Sequence, residues 1–146
     1  MKYILFISLL LLSNCQDNNS IEPEQRAIVE NFIHSFNSYN IEGMTKDLAE
    51  NFGYEHLRNG EAGLRAIGIE SFKELLRSAE HTYKSRQETI ESWELSKYHI
   101  EIESSFKGTL ATDLSNGMKM GDVIAFDVRT IFEFADGKIE CVTVKI

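Results

Sequence analysis

The segment that precedes Asn59-Gly60 carries three side chains whose types and spacing suit proton transfer. Tyr54, His56 and Arg58 occupy every second position, and alternate side chains of a β-strand lie on one face. A strand here would place a phenol, an imidazole and a guanidinium in one row. Imidazole titrates near neutral pH and can take a proton from a carbon acid or a water molecule. We predict His56 as general acid or base and Tyr54 as an orienting donor; the alternative is that His56 is a half-buried strand residue hydrogen-bonded to a neighbour.

The remaining polar clusters are less suited to chemistry. His99, Glu101 and Glu103 alternate along one predicted strand and spread over about 13 Å, so they cannot close on a single ion without help. No group of His and Cys has the spacing of a zinc site, and the chain has neither a nucleotide-binding glycine loop nor a serine nucleophile elbow. We therefore predict no metal and no cofactor, and we assign the three residues to a solvated face.

The last stretch of the chain, Gly121–Ile146, predicts a long β-hairpin joined at Asp136-Gly137. That dipeptide suits the positive φ angles of a type I′ turn. One face of the first strand is apolar apart from one threonine and would form a core or pocket wall, whereas the other face would lie at the surface or at a dimer interface. The inner set is Ile124, Phe126, Val128, Thr130, Phe132 and Phe134, and the outer set is Val123, Ala125, Asp127, Arg129, Ile131 and Glu133.

The chain before this hairpin reads as helices followed by strands. Apolar residues at helical spacing predict a first helix that starts at Pro23, and Asn40 suits the N-cap of a short second helix. Asn59-Gly60 and Asn116-Gly117 mark further hairpin turns. The order predicts an α+β fold with three helices on one side of a curved antiparallel sheet. The other predicted elements are strands at Phe52–Arg58, Glu61–Ala66, Gln87–Leu95 and Tyr98–Leu110 and a third helix at Ile69–His81.

The first residues resemble a bacterial export signal rather than part of the fold. Met1-Lys2 is followed by an apolar run that is too short to span a bilayer as a mature helix, and Leu12-Ser13-Asn14-Cys15 resembles the lipobox of bacterial lipoproteins. The resemblance implies a signal peptide at residues 1–14, lipidation of Cys15, a polar tether over residues 15–22 and a domain over residues 23–146. It places the protein in the cell envelope, anchored in a membrane, and Gln16 favours the outer membrane if the host has two. The alternative is an ordinary secretion signal with an incidental cysteine.

Composition limits the partners. The chain of 146 residues has a formal net charge of −8 without a Lys/Arg cluster, which excludes the concentrated positive charge that nucleic acids need. Only two cysteines occur, Cys15 and Cys141. If Cys15 is acylated, Cys141 is a lone thiol, and we predict a small buried side chain opposite Phe132 rather than a reactive group.

The order of elements and several short motifs resemble the nuclear transport factor 2-like superfamily, in particular its SnoaL-like branch, to which ketosteroid isomerase is related. The resemblance covers about residue 24 to the end. It implies a cone-shaped domain with a pocket between helices and sheet, and frequent homodimerisation through the outer sheet face. The motifs are Tyr39-Asn40-Ile41-Glu42-Gly43-Met44, Leu48-Ala49-Glu50-Asn51-Phe52, Gly68-Ile69-Glu70-Ser71-Phe72, Ile131-Phe132-Glu133-Phe134 and Asp136-Gly137-Lys138-Ile139.

The same resemblance tests the isomerase mechanism residue by residue. The position of the general-base carboxylate is taken by His56, that of the tyrosine donor by Phe32 and that of the protonated aspartate by Thr130. Phe32 cannot donate a hydrogen bond and Thr130 offers only a neutral hydroxyl, so this mechanism is disfavoured. The residues that we predict to line the pocket are Phe32, Arg58, Trp93, Phe126, Val128, Thr130 and Phe132.

Three functions follow as hypotheses. The first is a non-catalytic module that binds a small apolar ligand, or a partner, at the membrane surface. The second is an enzyme of the cyclase, dehydratase or isomerase kind, with His56 as acid or base. The third is purely associative and uses the outer sheet face for dimerisation. The fold alone does not choose between them.

Overall fold

The computed structural model describes residues 23–146, so the predicted signal peptide, Cys15 and tether lie outside the described residues. The chain forms an α+β fold with three helices and six strands in this range, as predicted. None of the helices in residues 23–146 combines the length and the apolar character needed to cross a membrane. The elements are α1 Pro23–Asn37, α2 Ile41–Thr45, β1 Leu48–Arg58, β2 Glu61–Ile67, α3 Ile69–Ala79, β3 Tyr83–Leu95, β4 His99–Leu110, β5 Val123–Ala135 and β6 Lys138–Lys145.

The six strands form one sheet in the order β2-β1-β6-β5-β4-β3. Neighbouring strands pair antiparallel except β1 and β6, which run parallel. The predicted α+β fold with a curved sheet is confirmed, but the sheet is mixed where an antiparallel one was predicted. Turn signals in a sequence set the direction only of strands that follow each other closely. The first and last strands, β1 and β6, are separated in sequence by most of the domain. No local sequence signal therefore sets their relative direction.

Two of the three predicted turns are tight. Asn59-Gly60 and Asp136-Gly137 both have positive φ at each residue, at 52° and 80° and at 50° and 75°, as type I′ turns require. The third signal, Asn116-Gly117, lies inside a longer loop over residues 111–122 and does not join two strands directly. Gly117 still turns the chain there with a φ of 94°.

A β-bulge changes the register of the β5–β6 hairpin. The pairing shifts between Glu133 and Phe134, so that Cys141 lies opposite Glu133 and Val142 lies opposite Phe132. The predicted pairing of Cys141 with Phe132 was therefore wrong, because an extra residue in one strand offsets everything beyond it. Cys141 is half-buried rather than buried, and burial, followed by the Glu133 carboxylate, raises the pKa of its thiol.

The two faces of β5 divide as predicted. Val128, Thr130 and Phe132 are buried, whereas Asp127 and Arg129 are exposed. The outer face is not fully solvated, however. Glu101 is only 7% exposed, because the Arg129 guanidinium covers it and donates to its carboxylate.

The core lies between the helices and the inner face of the sheet. Phe32 stacks on Phe72 with ring centroids 6.3 Å apart and meets Phe132 edge-on at 5.4 Å. Phe52 packs against Phe72 at 5.0 Å. These rings form a closely packed cluster, which we call the filled end of the cone. Phe52, Phe72 and Phe132 are fully buried there, and Phe32 and Phe72 also form its boundary with a cavity.

Candidate functional site

A cavity of about 310 Å³ adjoins the filled end and lies between the helices and the inner face of the sheet; we call this part of the cone the cavity end. Its walls are mostly aliphatic and aromatic, and its polar groups come from strands on both sides. The residues that line it include Phe32, Phe36, Tyr54, His56, Leu64, Tyr83, Arg86, Glu88, Phe106, Phe126, Val128, Thr130 and Ile146.

Six of the site residues predicted from the sequence line this cavity: Phe32, Tyr54, His56, Phe126, Val128 and Thr130.

The other three predicted lining residues lie elsewhere. Phe132 is fully buried behind Phe32 in the filled end of the cone. Trp93 is covered by Arg26, whose guanidinium carbon lies 4.5 Å from the centroid of the Trp93 ring. Arg58 is exposed at the end of β1. Alternation alone assigned these residues to the inner face, but it does not say how far along the cone each one lies.

His56 and Thr130 lie in one row across the sheet, with Val144 between them. His56 pairs with Val144 on β6, and Val144 pairs with Thr130 on β5. Two strand spacings separate the two backbones by about 10 Å. Among the described residues, no hydrogen bond joins the side chains of Tyr54, His56 and Thr130. The three therefore line one cavity without a hydrogen bond between them.

Glu88 is a polar residue of the cavity that was not predicted from the sequence, like Thr82, Tyr83 and Arg86. It lines the wall from β3 and is only 8% exposed. Its carboxylate accepts a hydrogen bond of 2.6 Å from the hydroxyl of Ser104 on β4. One carboxylate thus enters a largely apolar cavity with a single neutral donor on one oxygen.

The end of α1 holds the Glu88 backbone in place. The side-chain amide of Asn37 accepts from the Glu88 N–H at 2.7 Å and donates to the Glu88 carbonyl at 2.9 Å. Arg86, two residues earlier, donates twice to the carbonyl of Phe36, at 2.9 and 2.6 Å. Its guanidinium also lies 3.9 Å from the Phe36 ring centroid. The position of Glu88 therefore depends on contacts with the end of α1 as well as on the strand pairing of β3.

The curvature of the sheet brings Glu88 opposite Tyr54. In the sheet order, β1 and β3 are separated by three other strands, which in a flat sheet would put them about 19 Å apart. Both side chains nevertheless line one cavity, and the Glu88 charge is the second cause, after burial, of the raised pKa of the Tyr54 phenol. They share the cavity because the sheet wraps around it.

Burial sets the protonation of these groups. Desolvation, followed by the Glu88 charge, raises the pKa of Tyr54 to about 12, so its phenol stays protonated and can donate. Desolvation also raises the pKa of Glu88, partly offset by the Ser104 hydrogen bond and the Arg86 charge. Burial and then the Arg58 charge lower the pKa of His56, which favours a neutral imidazole.

A signal for Glu88 was present in the sequence. Counting back from the apolar Ile90 by twos gives Glu88 and Arg86, both of which line the cavity. A carboxylate that alternates in phase with an apolar, half-buried residue such as Ile90 is a candidate for a buried acid. The strand predicted from the sequence begins at Gln87, and no face was predicted for Glu88.

Within residues 23–146, no three His, Cys, Asp or Glu side chains are grouped as ligands for a metal ion. The oxygen and nitrogen atoms of the cavity are instead spread over two opposite walls.

No protein-family model and no curated protein sequence matches the chain. Solved structures do match it. A proposed polyketide cyclase from Xanthomonas campestris pv. campestris is 20% identical, with 84% of this chain and 90% of that one covered at a TM-score of 0.72. A proposed SnoaL-like polyketide cyclase from Jannaschia sp. CCS1 is 11% identical, with 86% and 88% covered at a TM-score of 0.72. An NTF2-like protein of unknown function from Burkholderia pseudomallei K96243 is 13% identical, with 83% and 88% covered at a TM-score of 0.68. Residues 23–146 therefore have the nuclear transport factor 2-like cone fold that these SnoaL-like and NTF2-like proteins share.

Proposed function

We propose that this protein binds a small, mostly apolar molecule in the cone cavity and that a polar group of this molecule meets Tyr54, His56 and Glu88. The observation that carries the proposal is the contrast between apolar walls and a few polar groups on two opposite sides. Such a combination is typical of small-molecule sites, in which apolar walls supply affinity and sparse polar groups supply orientation.

The aromatic rings of the cavity suit a flat ligand. Phe106 stacks on Phe126 with centroids 4.9 Å apart, and Tyr83 meets Phe106 at 5.3 Å. Rings prefer offset-stacked or edge-on partners, and these faces offer both. A ligand with one or two rings and a hydroxyl or carbonyl group would match the wall and the polar groups together.

A thermal-shift screen of small aromatic compounds, with and without one hydroxyl or carbonyl group, tests the proposal. We expect hydroxylated or carbonyl compounds to raise the unfolding temperature more than the parent hydrocarbons. Mass spectrometry of the purified protein should also detect a co-purified small molecule. Failure of every compound in the screen, together with no co-purified molecule, would count against ligand binding.

A second candidate function is acid–base catalysis, and the position of Glu88 favours it. A buried carboxyl with a raised pKa is a better proton acceptor at neutral pH than an ordinary carboxylate once it is ionised. Glu88 would take a proton from a C–H next to a ligand carbonyl. The protonated Tyr54 would donate a hydrogen bond to the oxygen that gains charge, and reprotonation would complete the reaction. His56, kept neutral, would orient the ligand or replace Glu88 as the base.

Hydrogen exchange on carbon separates these roles. In D₂O, wild-type protein should accelerate exchange of the acidic C–H of a bound ketone identified in the screen. Glu88→Gln should abolish the acceleration while it keeps binding, and His56→Ala should retain most of the rate. The reverse pattern would make His56 the base, and absence of exchange in the wild type would leave binding as the function.

We further propose that the protein is exported and carried on a membrane by lipid on Cys15. The support is the lipobox-like Leu12-Ser13-Asn14-Cys15 after an apolar run. A Cys15→Ser protein should then be found in the soluble envelope fraction, whereas the wild type should pellet with membranes and gain the mass of acyl chains. Membrane retention of Cys15→Ser would contradict this.

A further inference from the structure

The turn between β3 and β4 begins seven residues beyond Glu88, the last residue of β3 that lines the cavity; we call residues 95–98 the β3–β4 tip. The hydroxyl oxygen of Ser96 accepts from the N–H groups of Tyr98 and His99, at 3.4 and 3.2 Å. The Ser96 N–H donates to the His99 carbonyl at 3.0 Å, and the Tyr98 carbonyl accepts from Phe134 at 3.4 Å. These bonds hold the tip in one shape and couple it to β5.

The side chains that this tip presents are of the kind found where protein meets lipid. Leu95 is 50% exposed and Tyr98 is 71% exposed, and the Lys97 ammonium lies 5.3 Å from the Tyr98 ring centroid. Tyrosine is enriched at the membrane–water interface because its ring is apolar and its hydroxyl is polar. Lysine can bury its methylene stem while its ammonium stays at the headgroups.

The polypeptide enters the fold beside this tip. Arg26, in the first turns of α1, lies over the ring of Trp93 at 4.5 Å. Trp93 precedes Leu95 by two residues, about 7 Å along the strand. Pro23, the first described residue, precedes Arg26 by three residues, about 4.5 Å along the helix axis. An anchor that fixes the residues before Pro23 to a surface would therefore also keep the β3–β4 tip near that surface.

We propose that the β3–β4 tip contacts the phospholipid surface of the membrane to which Cys15 is attached. The inference rests on the proposed lipid tether. The eight residues 15–22 reach at most about 28 Å when fully extended, so they keep Pro23 and the tip close to the bilayer. Glu24 and Glu94 are exposed at the same end, and the chain carries a net charge of −8. The matching surface is thus one of zwitterionic headgroups rather than of anionic lipids.

This orientation would turn the cavity towards water. Tyr83, on the cavity wall, begins β3, and Leu95 ends it. Twelve residues separate them, about 40 Å of strand. Leu64, which is 50% exposed, and Ile146 also lie at the cavity end. The ligand would then enter from the aqueous side and not directly from the bilayer.

Site-specific labelling of the lipidated full-length protein tests the contact. Cys141→Ser removes the second thiol, and lipid blocks Cys15, so a single added cysteine carries an environment-sensitive fluorophore. The labelled positions are Leu95→Cys at the tip and Met120→Cys at the far end, where Met120 is 68% exposed. The protein is reconstituted into phosphatidylcholine vesicles with and without a lipid-phase quencher.

The proposal predicts blue-shifted emission and quenching for the label at position 95 and neither for the label at position 120. A Tyr98→Ser change in the position-95 background should reduce both effects without releasing the protein from vesicles. Equal, water-like emission at both positions in vesicle-bound protein would overturn the tip contact alone. A label at position 95 that is shielded but not quenched by lipid would also overturn it and would indicate a second copy of the chain on the tip. Protein that fails to stay with vesicles would overturn the lipid tether and the tip contact with it.

Discussion

The two ends of the cone use the same kinds of side chain for different purposes. At the filled end, Phe52 and Phe132 have no exposed surface, and neighbouring rings approach to 5.0 and 5.4 Å. At the cavity end, Phe106 and Phe126 stack equally closely at 4.9 Å. However, Phe126 remains only half-buried and lines an open space. The buried carboxylate of Glu88 lies at this second end.

This difference indicates which part of the core mainly stabilises the fold and which part is available for ligand binding. Rings that fill one end of the sheet supply apolar burial, which is the main favourable term in folding. The other end can then leave a cavity and tolerate a desolvated carboxyl, both of which are unfavourable for stability. Changes at the two ends should therefore have separable effects on stability and on ligand binding.

The largest expected effect is at the filled end. Phe132→Ala should lower the free energy of unfolding by about 3–5 kcal/mol, because it removes a fully buried ring and leaves a void. Phe126→Ala, on the same face of the same strand, should cost clearly less and should instead weaken ligand binding. Urea unfolding of both variants measures the contrast. Equal losses of stability would contradict the division between the two ends.

A smaller effect is expected where α1 meets the cavity. Asn37→Asp keeps the acceptor for the Glu88 N–H but loses the donor to its carbonyl, which should cost about 1–3 kcal/mol. Because Glu88 would be displaced, ligand affinity should also fall.

Asn31→Asp is the matched control for that change. Asn31 donates to the Gly43 carbonyl at 2.9 Å and does not line the cavity. It should lose comparable stability while ligand affinity stays the same. If both variants weakened binding equally, the role assigned to Asn37 would be wrong.

The pH dependence of stability should report Glu88. Its pKa is raised in the folded state by burial, so the folded protein binds this proton more tightly than the unfolded chain does. The stabilising contribution is complete below the ordinary glutamate pKa and declines as the pH rises through that value towards the folded pKa. Glu88→Gln should flatten this decline, as measured by urea unfolding across the acidic and neutral range. Glu94→Gln is the control: because Glu94 is exposed, this variant should show the same dependence of stability on pH as the wild type. If the wild type, Glu88→Gln and Glu94→Gln all showed the same dependence, Glu88 would not be desolvated in the folded protein.

The parts of the fold that the sequence predicted are those set by nearby residues. Asn59-Gly60 and Asp136-Gly137 need only their own φ angles, and Asn40 caps α2 by accepting from the Gly43 N–H three residues later. The two faces of β5 follow from alternation. Each of these depends on a few consecutive positions.

The parts that the sequence did not predict depend on residues far apart in the chain. β1 and β6 are the first and last strands in the sequence, and they pair in parallel. The bulge near Glu133 changes the residue that pairs with Cys141. Glu88 becomes a partner of Tyr54 only through the curvature of five strands. His56 and Tyr54 were found because they share a short strand segment, whereas Glu88 needed the closed cone to give it a role.

Titration calorimetry with 1-naphthol, an apolar bicycle with one hydroxyl, tests the central claim most directly. Three proteins are compared: the wild type, Val128→Phe, which enlarges a side chain of the cavity wall and narrows the cavity, and Val123→Phe, which adds the same ring to the exposed outer face of the same strand. We predict one binding site in the wild type and in Val123→Phe and loss of that site in a folded Val128→Phe protein. Undiminished binding to Val128→Phe would show that the cavity is not the ligand site.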